Sequence, residues 1–475
     1  MKTEPVYLNG TWVVSDESRP VVNPATGDTF ARISYVSAND IAGALDTAQK
    51  AFGGWKAETG KGRGEYLRRI ARRMDARCDD IARMITLENG KPVAQSRGEV
   101  AMSIDHLEWF AEEARRPYGR VIPNQVDSKR HLVVKTPIGV VGAISPWNFP
   151  LVLAVRKVAP ALAAGCPVVL KPSRTTPLSV LEFAKCVHEA ELPKGVFQFL
   201  VGDAAEVAKQ YLNNPICRKI TFTGSTEVGQ VLIAGAAKQI KPLSLELGGH
   251  APVIVFDDAD FEQAVEGVMI TKFRNTGQSC IAANRIYVQN RIYKRFLEAV
   301  VDKTRALKVG NGLDAGVDVG PLIDDAGLTK ALAHIKDAAG QGARVLCGGS
   351  RLDRRGGFFL DPTILADVPR GAACLREETF APVAPICSFE TEEEAVEQAN
   401  DTSYGLSAYV FTRDLGRSFR MIELLEAGTI GINDPVPTTS QCPFGGMKQS
   451  GWGRELGIEG LDAFLEVKHA SVRLT

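Results

Sequence analysis

Between residues 167 and 247 short β-branched runs alternate with amphipathic helical stretches, and few architectures accommodate that alternation. PVVLK precedes a predicted helix starting near Pro177, VFQFL precedes one over 204–212, and KITFTG precedes one over 226–238. Strands this apolar on both faces need helices above and below, so the rhythm predicts a doubly wound parallel sheet. It restarts after Gly248 with APVIVF, a helix over 261–273 and the strand IYVQ, then runs as mixed α/β sequence to about Asn433. Ahead of it the first hundred-odd residues read as helix-rich, over 40–55, 64–89 and 95–116, while HLVVKTP and GVVGAISP read as strands. At 475 residues the chain is too long for one core, which predicts two or three domains.

Charge and cysteine usage narrow the function classes. Lys plus Arg and Asp plus Glu number 56 each, a balance that argues against nucleic acid or an anionic membrane as the main partner. The N-terminal MKTEPVYLNGTW lacks the apolar core of a signal peptide. The most apolar long stretch, 137–170, is broken by Pro146, Pro150, Arg156, Lys157 and Pro160, so no transmembrane helix is expected there. Nine scattered cysteines without a CxxC pair suggest free thiols in a reducing compartment, with the cytoplasm as the expected address. Six isolated histidines offer no zinc-ligand spacing, and no metal is expected.

Four places stand out chemically. Gly310-Asn311-Gly312 lacks the flanking strand and helix of a dinucleotide fingerprint and reads as a turn. In FTGSTEVG, Gly224 ends a predicted strand and Gly229 lies inside the next helix; a pyrophosphate cradle and a tight, closely packed turn are both compatible. Cys280 sits in the polar, glycine-containing RNTGQSC, whereas the other cysteines mostly occupy apolar or helical surroundings. Glu246 lies in the otherwise apolar LSLELGGHAPV, where a carboxylate is costly without a partner or a task.

SPWNFP at 145–150, VVLKPS at 168–173, LELGGHAPVIV at 245–255, FRNTGQSC at 273–280, EETFAPV at 377–383 and PFGGMKQSGWGRELG at 443–457 together span nearly the whole chain. With these motifs in this order the sequence resembles the aldehyde dehydrogenase superfamily, and most nearly its succinate-semialdehyde dehydrogenases. The resemblance implies a Rossmann-like cofactor domain (1–117 and 137–248) and an α/β catalytic domain (249–441). A small β bridging element (118–136 and 442–475) would extend a neighbour's sheet in a homodimer or homotetramer. It implies Cys280 as the nucleophile that adds to the aldehyde, since hydride transfer needs a tetrahedral adduct first. A free thiol pKa of about 8.5 leaves little thiolate at neutral pH, so a base is required. Glu246 is the implied base, activating Cys280 or the water that hydrolyses the thioester, which favours hydrolysis over transfer to coenzyme A. Asn148, with the backbone N–H of Cys280, would hold the oxyanion. Trp147, Lys171, Ser173, Arg174, Gly224, Ser225, Gly229, Glu378 and Phe380 are the implied cofactor residues, with Ala381 where the family usually has glycine.

NAD-preferring members often carry a glutamate three residues after the lysine of VVLKPS; here Arg174 stands there. Losing that carboxylate removes repulsion against a 2′-phosphate, which points to NADP, with dual use of NAD left open. Arg156 and Arg274 match the two arginines with which succinate-semialdehyde dehydrogenases hold the distal carboxylate, and Thr438 preserves a hydroxyl used there. Two arginines converging on a pocket imply an anionic substrate such as succinate semialdehyde, with 2-oxoglutarate semialdehyde not separable from it. The rival is a neutral or cationic substrate such as betaine aldehyde. Ala282 stands where many of those enzymes place a second cysteine, so no local disulfide switch is expected.

Overall fold

The computed structural model describes residues 2–354 and 356–474. Its largest sheet has eight strands, in the order Gly451–Trp452, Leu243–Glu246, Cys217–Thr223, Val140–Ile144, Val168–Lys171, Phe197–Phe199, Val6–Leu8 and Thr11–Val13. The middle five are parallel and almost wholly buried, which is why they read as unbroken apolar runs. The chain steps outward from Val140–Ile144 through Val168–Lys171 to Phe197–Phe199, then returns to lay Cys217–Thr223 on the other side of its starting strand. Strand order therefore reverses between Val140–Ile144 and Cys217–Thr223. A crevice opens beyond their carboxyl ends, the place where doubly wound sheets bind ligands.

A second sheet of seven strands is parallel except for Arg344–Cys347 at one edge. The two sheets are joined through Leu247–His250, between the strands Leu243–Glu246 and Ala251–Val255. Arg120–Ile122, Lys129–Pro137 and Leu465–Arg473 form a separate antiparallel sheet, the last two paired over nine residues. Residues 442–464, expected with that bridging element, lie elsewhere: Gly451–Trp452 edges the eight-stranded sheet and the short helix Gly457–Asp462 packs on the helices Pro150–Ala164 and Val93–Glu113.

Two other expectations need correction. The first 34 residues contain five short strands, three of them in a small sheet of their own, which the helix-rich reading missed because none exceeds six residues. The helix expected over 64–89 is two, Gly60–Asp75 and Cys78–Asn89, broken where Arg77 leaves helical geometry. Pro160 lies within Pro150–Ala164 without ending it. Among the described residues no helix is long and apolar enough to cross a membrane.

Glu88, fully buried, spans both orphan N–H groups at the start of the helix Leu178–Glu189, accepting from Leu178 at 2.6 Å and Ser179 at 2.9 Å. Glu88→Ala leaves two buried donors unmatched and should cost about 2–3 kcal/mol, read as a shift in the urea midpoint.

Candidate active site

The crevice at the switch point is a cleft of about 200 Å³ walled by Trp147, Asn148, Thr223, Gly224, Ser225, Gly248, Cys280, Glu378 and Phe380. Each wall comes from a different part of the topology. Trp147 and Asn148 follow the strand Val140–Ile144, and Gly224 and Ser225 follow Cys217–Thr223, with Ser225 capping the helix Thr226–Ala236. Cys280 approaches from the second sheet on a left-handed backbone segment: Asn275 has φ 51° and Thr276, a β-branched residue, φ 58°. Conformations this unfavourable persist only when the surroundings dictate them. Here Asn275 Nδ2 donates to the Asn148 carbonyl at 2.8 Å, and its N–H to Gln95 at 2.7 Å. Phe380 also has a positive φ, 55°, and meets the Trp147 ring edge-on at 5.5 Å.

Close packing explains the glycines of the motifs. A Cβ on Gly249 would fall 2.0 Å from the Cys280 carbonyl oxygen, and one on Gly445 would fall 2.7 Å from Glu246 Oε1. Gly229, one turn inside its helix, packs against Leu247, where a Cβ would come within 2.6 Å. Gly224 and Ser225 line the cleft; Gly229 does not appear on its walls.

The electrostatics are those of a dry site. Burial, reinforced by the Glu378 and Glu246 carboxylates, pushes the Cys280 thiol up to about 12, against a smaller opposing pull from Arg156. At neutral pH Cys280 is therefore a thiol that must lose its proton as it attacks. Glu246, buried at the end of its strand, is itself held well above the usual carboxylate range by burial and by neighbouring Glu455. Glu246 Oε2 and Glu455 Oε2 are both buried without hydrogen-bond partners. Lys157 Nζ completes the group, donating to Glu455 at 2.5 Å and to Thr223 Oγ1 at 2.6 Å.

Asn148 Nδ2 donates to the Gln278 carbonyl at 3.2 Å, a long bond that an oxyanion can replace. Its own carbonyl is clamped by Lys91 Nζ at 2.7 Å, and Lys91 pairs with Glu99 at 2.7 Å; both side chains are fully buried. On the cofactor side, Lys171 is buried with no carboxylate within 4 Å among the described residues, and burial with the adjacent Arg174 lowers it to about 8. Ser173 stands beside it, and Arg174 is exposed. Glu378, raised to about 7 by burial, accepts from the Gly249 N–H at 3.1 Å.

Arg156 and Arg274 lie outside the cleft walls. Arg156, buried in the helix Pro150–Ala164, feels Glu455 most among its charged neighbours, then Cys280, Glu246 and Arg274. Arg274 packs over the Phe149 ring, 5.3 Å from its centroid. Among the described residues neither arginine has a carboxylate within 4 Å. Thr438 Oγ1 is buried without a partner. Sequence reasoning missed Lys91, Glu99, Lys157 and Glu455; for Glu99 and Lys157 the available signal was a charge inside a helix, whereas Lys91 and Glu455 lie in connections between elements.

A parallel sheet with its cleft at the switch point, and a thiol set beside a buried carboxylate and an amide donor, mark the chain as a nucleotide-dependent oxidoreductase. Residues 12–470 match the Aldehyde dehydrogenase family, and the chain belongs to it. It is 47% identical to the NADP-dependent succinate-semialdehyde dehydrogenase of Escherichia coli K12, over 98% of this chain and 97% of that one. Identity is also 47% to a glutarate-semialdehyde dehydrogenase of Pseudomonas aeruginosa, over 98% and 96% of the two chains. The crystal structure of succinate-semialdehyde dehydrogenase from Burkholderia pseudomallei superposes with a TM-score of 0.97 at 44% identity, covering 99% of this chain and 98% of that one.

With Glu246 raised, its basic form accumulates only above the usual carboxylate range. If Glu246 is the base, turnover should therefore climb as pH rises past the usual carboxylate range, and Glu246→Gln should lower kcat at least about a hundredfold and flatten that limb. A pH–rate profile of both proteins checks it.

Proposed function

We propose that the protein oxidises a short aldehyde bearing a distal carboxylate, succinate semialdehyde or a close homologue, to the dicarboxylate, with NADP preferred over NAD. The observation that carries this reading is the pair Arg156, buried near Cys280, and Arg274, half-buried over Phe149, neither with a carboxylate within 4 Å among the described residues. Such cations are costly unless a ligand anion meets them. The names of the E. coli and P. aeruginosa relatives support the same substrate class. For the cofactor, the support is an unpaired Lys171 beside Ser173 and an exposed Arg174, a cationic set suited to a 2′-phosphate.

Trp147, Gly224, Ser225, Glu378 and Phe380 would hold the nicotinamide end, and the bound ring supplies the hydride acceptor. Cys280 Sγ adds to the aldehyde carbon while Glu246 takes the thiol proton. Asn148 Nδ2 and the Cys280 N–H stabilise the oxyanion. Once the thioester has formed, Glu246 draws a proton from the water that cleaves it, and Glu455 with Lys157 provides the way out. Thr438 offers its free hydroxyl to the substrate's carboxylate.

The division into a cofactor domain (1–117 and 137–248), a catalytic domain (249–441) and a bridging element is part of this reading. A homodimer or homotetramer built on the three-stranded sheet is supported by Val121, Leu132, Val134, Val467 and Val472, all exposed there. All nine cysteines are unpaired, in keeping with the cytoplasm.

Steady-state rates with succinate semialdehyde, 2-oxoglutarate semialdehyde and propanal, each with NADP and NAD, test both halves. The semialdehydes should be oxidised selectively, and Arg174→Glu should reduce kcat/KM for NADP about tenfold or more. Propanal turned over as well as the semialdehydes would refute the anion pocket. An NAD preference unmoved by Arg174→Glu would refute only the phosphate argument.

A further inference from the structure

Arg156 is held by a chain of hydrogen bonds that the chemistry above does not use. Its Nε donates to His106 Nε2 at 3.2 Å; His106 Nδ1 lies 2.7 Å from Ser440 Oγ; and Ser440 Oγ donates to the Asp105 carboxylate. Asp105 and His106 belong to the helix Val93–Glu113, whereas Ser440 comes from the segment before the PFGG motif, 334 residues further on. His106 and Ser440 are buried and Asp105 is exposed.

Proton counting fixes the direction of this chain. A guanidinium only donates, so Nε2 of His106 must present its lone pair and the ring proton must sit on Nδ1. That proton goes to Ser440 Oγ, and the hydroxyl proton goes to a carboxylate, which only accepts. Burial and the adjacent Arg156 cation hold His106 well below its usual range, so the ring stays neutral. The arrangement thus runs from a buried cation to an exposed anion through two uncharged groups.

A carboxylate bonded directly to Arg156 would orient it but would also occupy and neutralise it, in competition with a substrate anion. The neutral relay occupies only the Nε edge. Nη2 touches the Met102 sulfur at 3.8 Å, and no acceptor among the described residues reaches Nη1. The ring of Phe444 packs 5.0 Å from the guanidinium carbon.

We propose that His106, Ser440 and Asp105 are positioning residues that aim the free edge of Arg156 at the substrate's anionic group, and so set selectivity for anionic over neutral aldehydes. This rests on the reading of Arg156 as the substrate anchor.

The test is steady-state kinetics of the full-length protein with succinate semialdehyde and propanal. Ser440→Ala and His106→Leu should raise KM for succinate semialdehyde about tenfold with little change in kcat, lowering the semialdehyde-over-propanal ratio of kcat/KM. His106→Gln, whose amide can accept from Arg156 and donate to Ser440, should recover much of that loss. In an Arg156→Leu background, Ser440→Ala should add nothing. Ser440→Ala removes a single atom, so it keeps the test open if His106→Leu fails to fold. Equal losses with both aldehydes, or full additivity in the Arg156→Leu background, would reduce the relay to a structural tie and overturn the proposal. If Arg156→Leu alone leaves KM for succinate semialdehyde unchanged while lowering that for propanal or neither, the anchor reading falls first and takes the positioning role with it.

Discussion

The buried ion pair between Lys91 and Glu99 is the joint on which the reacting end of the molecule is assembled. Glu99 Oε1 accepts from the N–H groups of Leu151 and Val152 at 2.9 and 3.2 Å, closing the first turn of the helix that carries Arg156 and Lys157. Lys91 holds the Asn148 carbonyl and stands 3.9 Å from the centroid of the Phe149 ring, whose other cationic neighbour is Arg274. Breaking such a pair by removing one partner typically costs about 3–5 kcal/mol, because the other charge stays buried. Asn148, Arg274 and the helix with Arg156 and Lys157, the groups proposed to meet the substrate, thus share one support, which ties stability to the geometry of the site.

Around that joint, charge is managed by scarcity of water. Cys280, Glu246 and Glu378 are all shifted upward by burial, and Lys171 and Arg156 downward. Each of these groups is displaced toward its neutral form by burial, so a ligand's charge has more influence beside them than it would in solvent. The proposed substrate carboxylate and the cofactor phosphates would each supply countercharge to these buried cations.

Much of this was legible beforehand, for physical reasons. Parallel strands buried on both faces leave unbroken apolar runs, so the sheet around Val140–Ile144 and Cys217–Thr223 could be read directly. RNTGQSC and LELGGH were visible because a nucleophile on a strained turn and a glycine pair under a carbonyl need unusual residues in a row. The five strands before residue 35 left too short a pattern, and the break at Arg77 has no Gly or Pro to announce it. The expected unity of 442–475 failed because a two-residue strand such as Gly451–Trp452 pairs through backbone, not side-chain pattern. His106 and Ser440 escaped notice because their meaning exists only in their contact, and 334 residues separate them.

Gly249 lies under the Cys280 carbonyl with no space for a single carbon, and Gly445 lies close against Glu246 as well. One glycine belongs to the crossing between the two sheets, and the other to the segment that closes over the base. At both places the two halves of the site meet with nothing but backbone between them, so a side chain added there would push directly on Cys280 or Glu246.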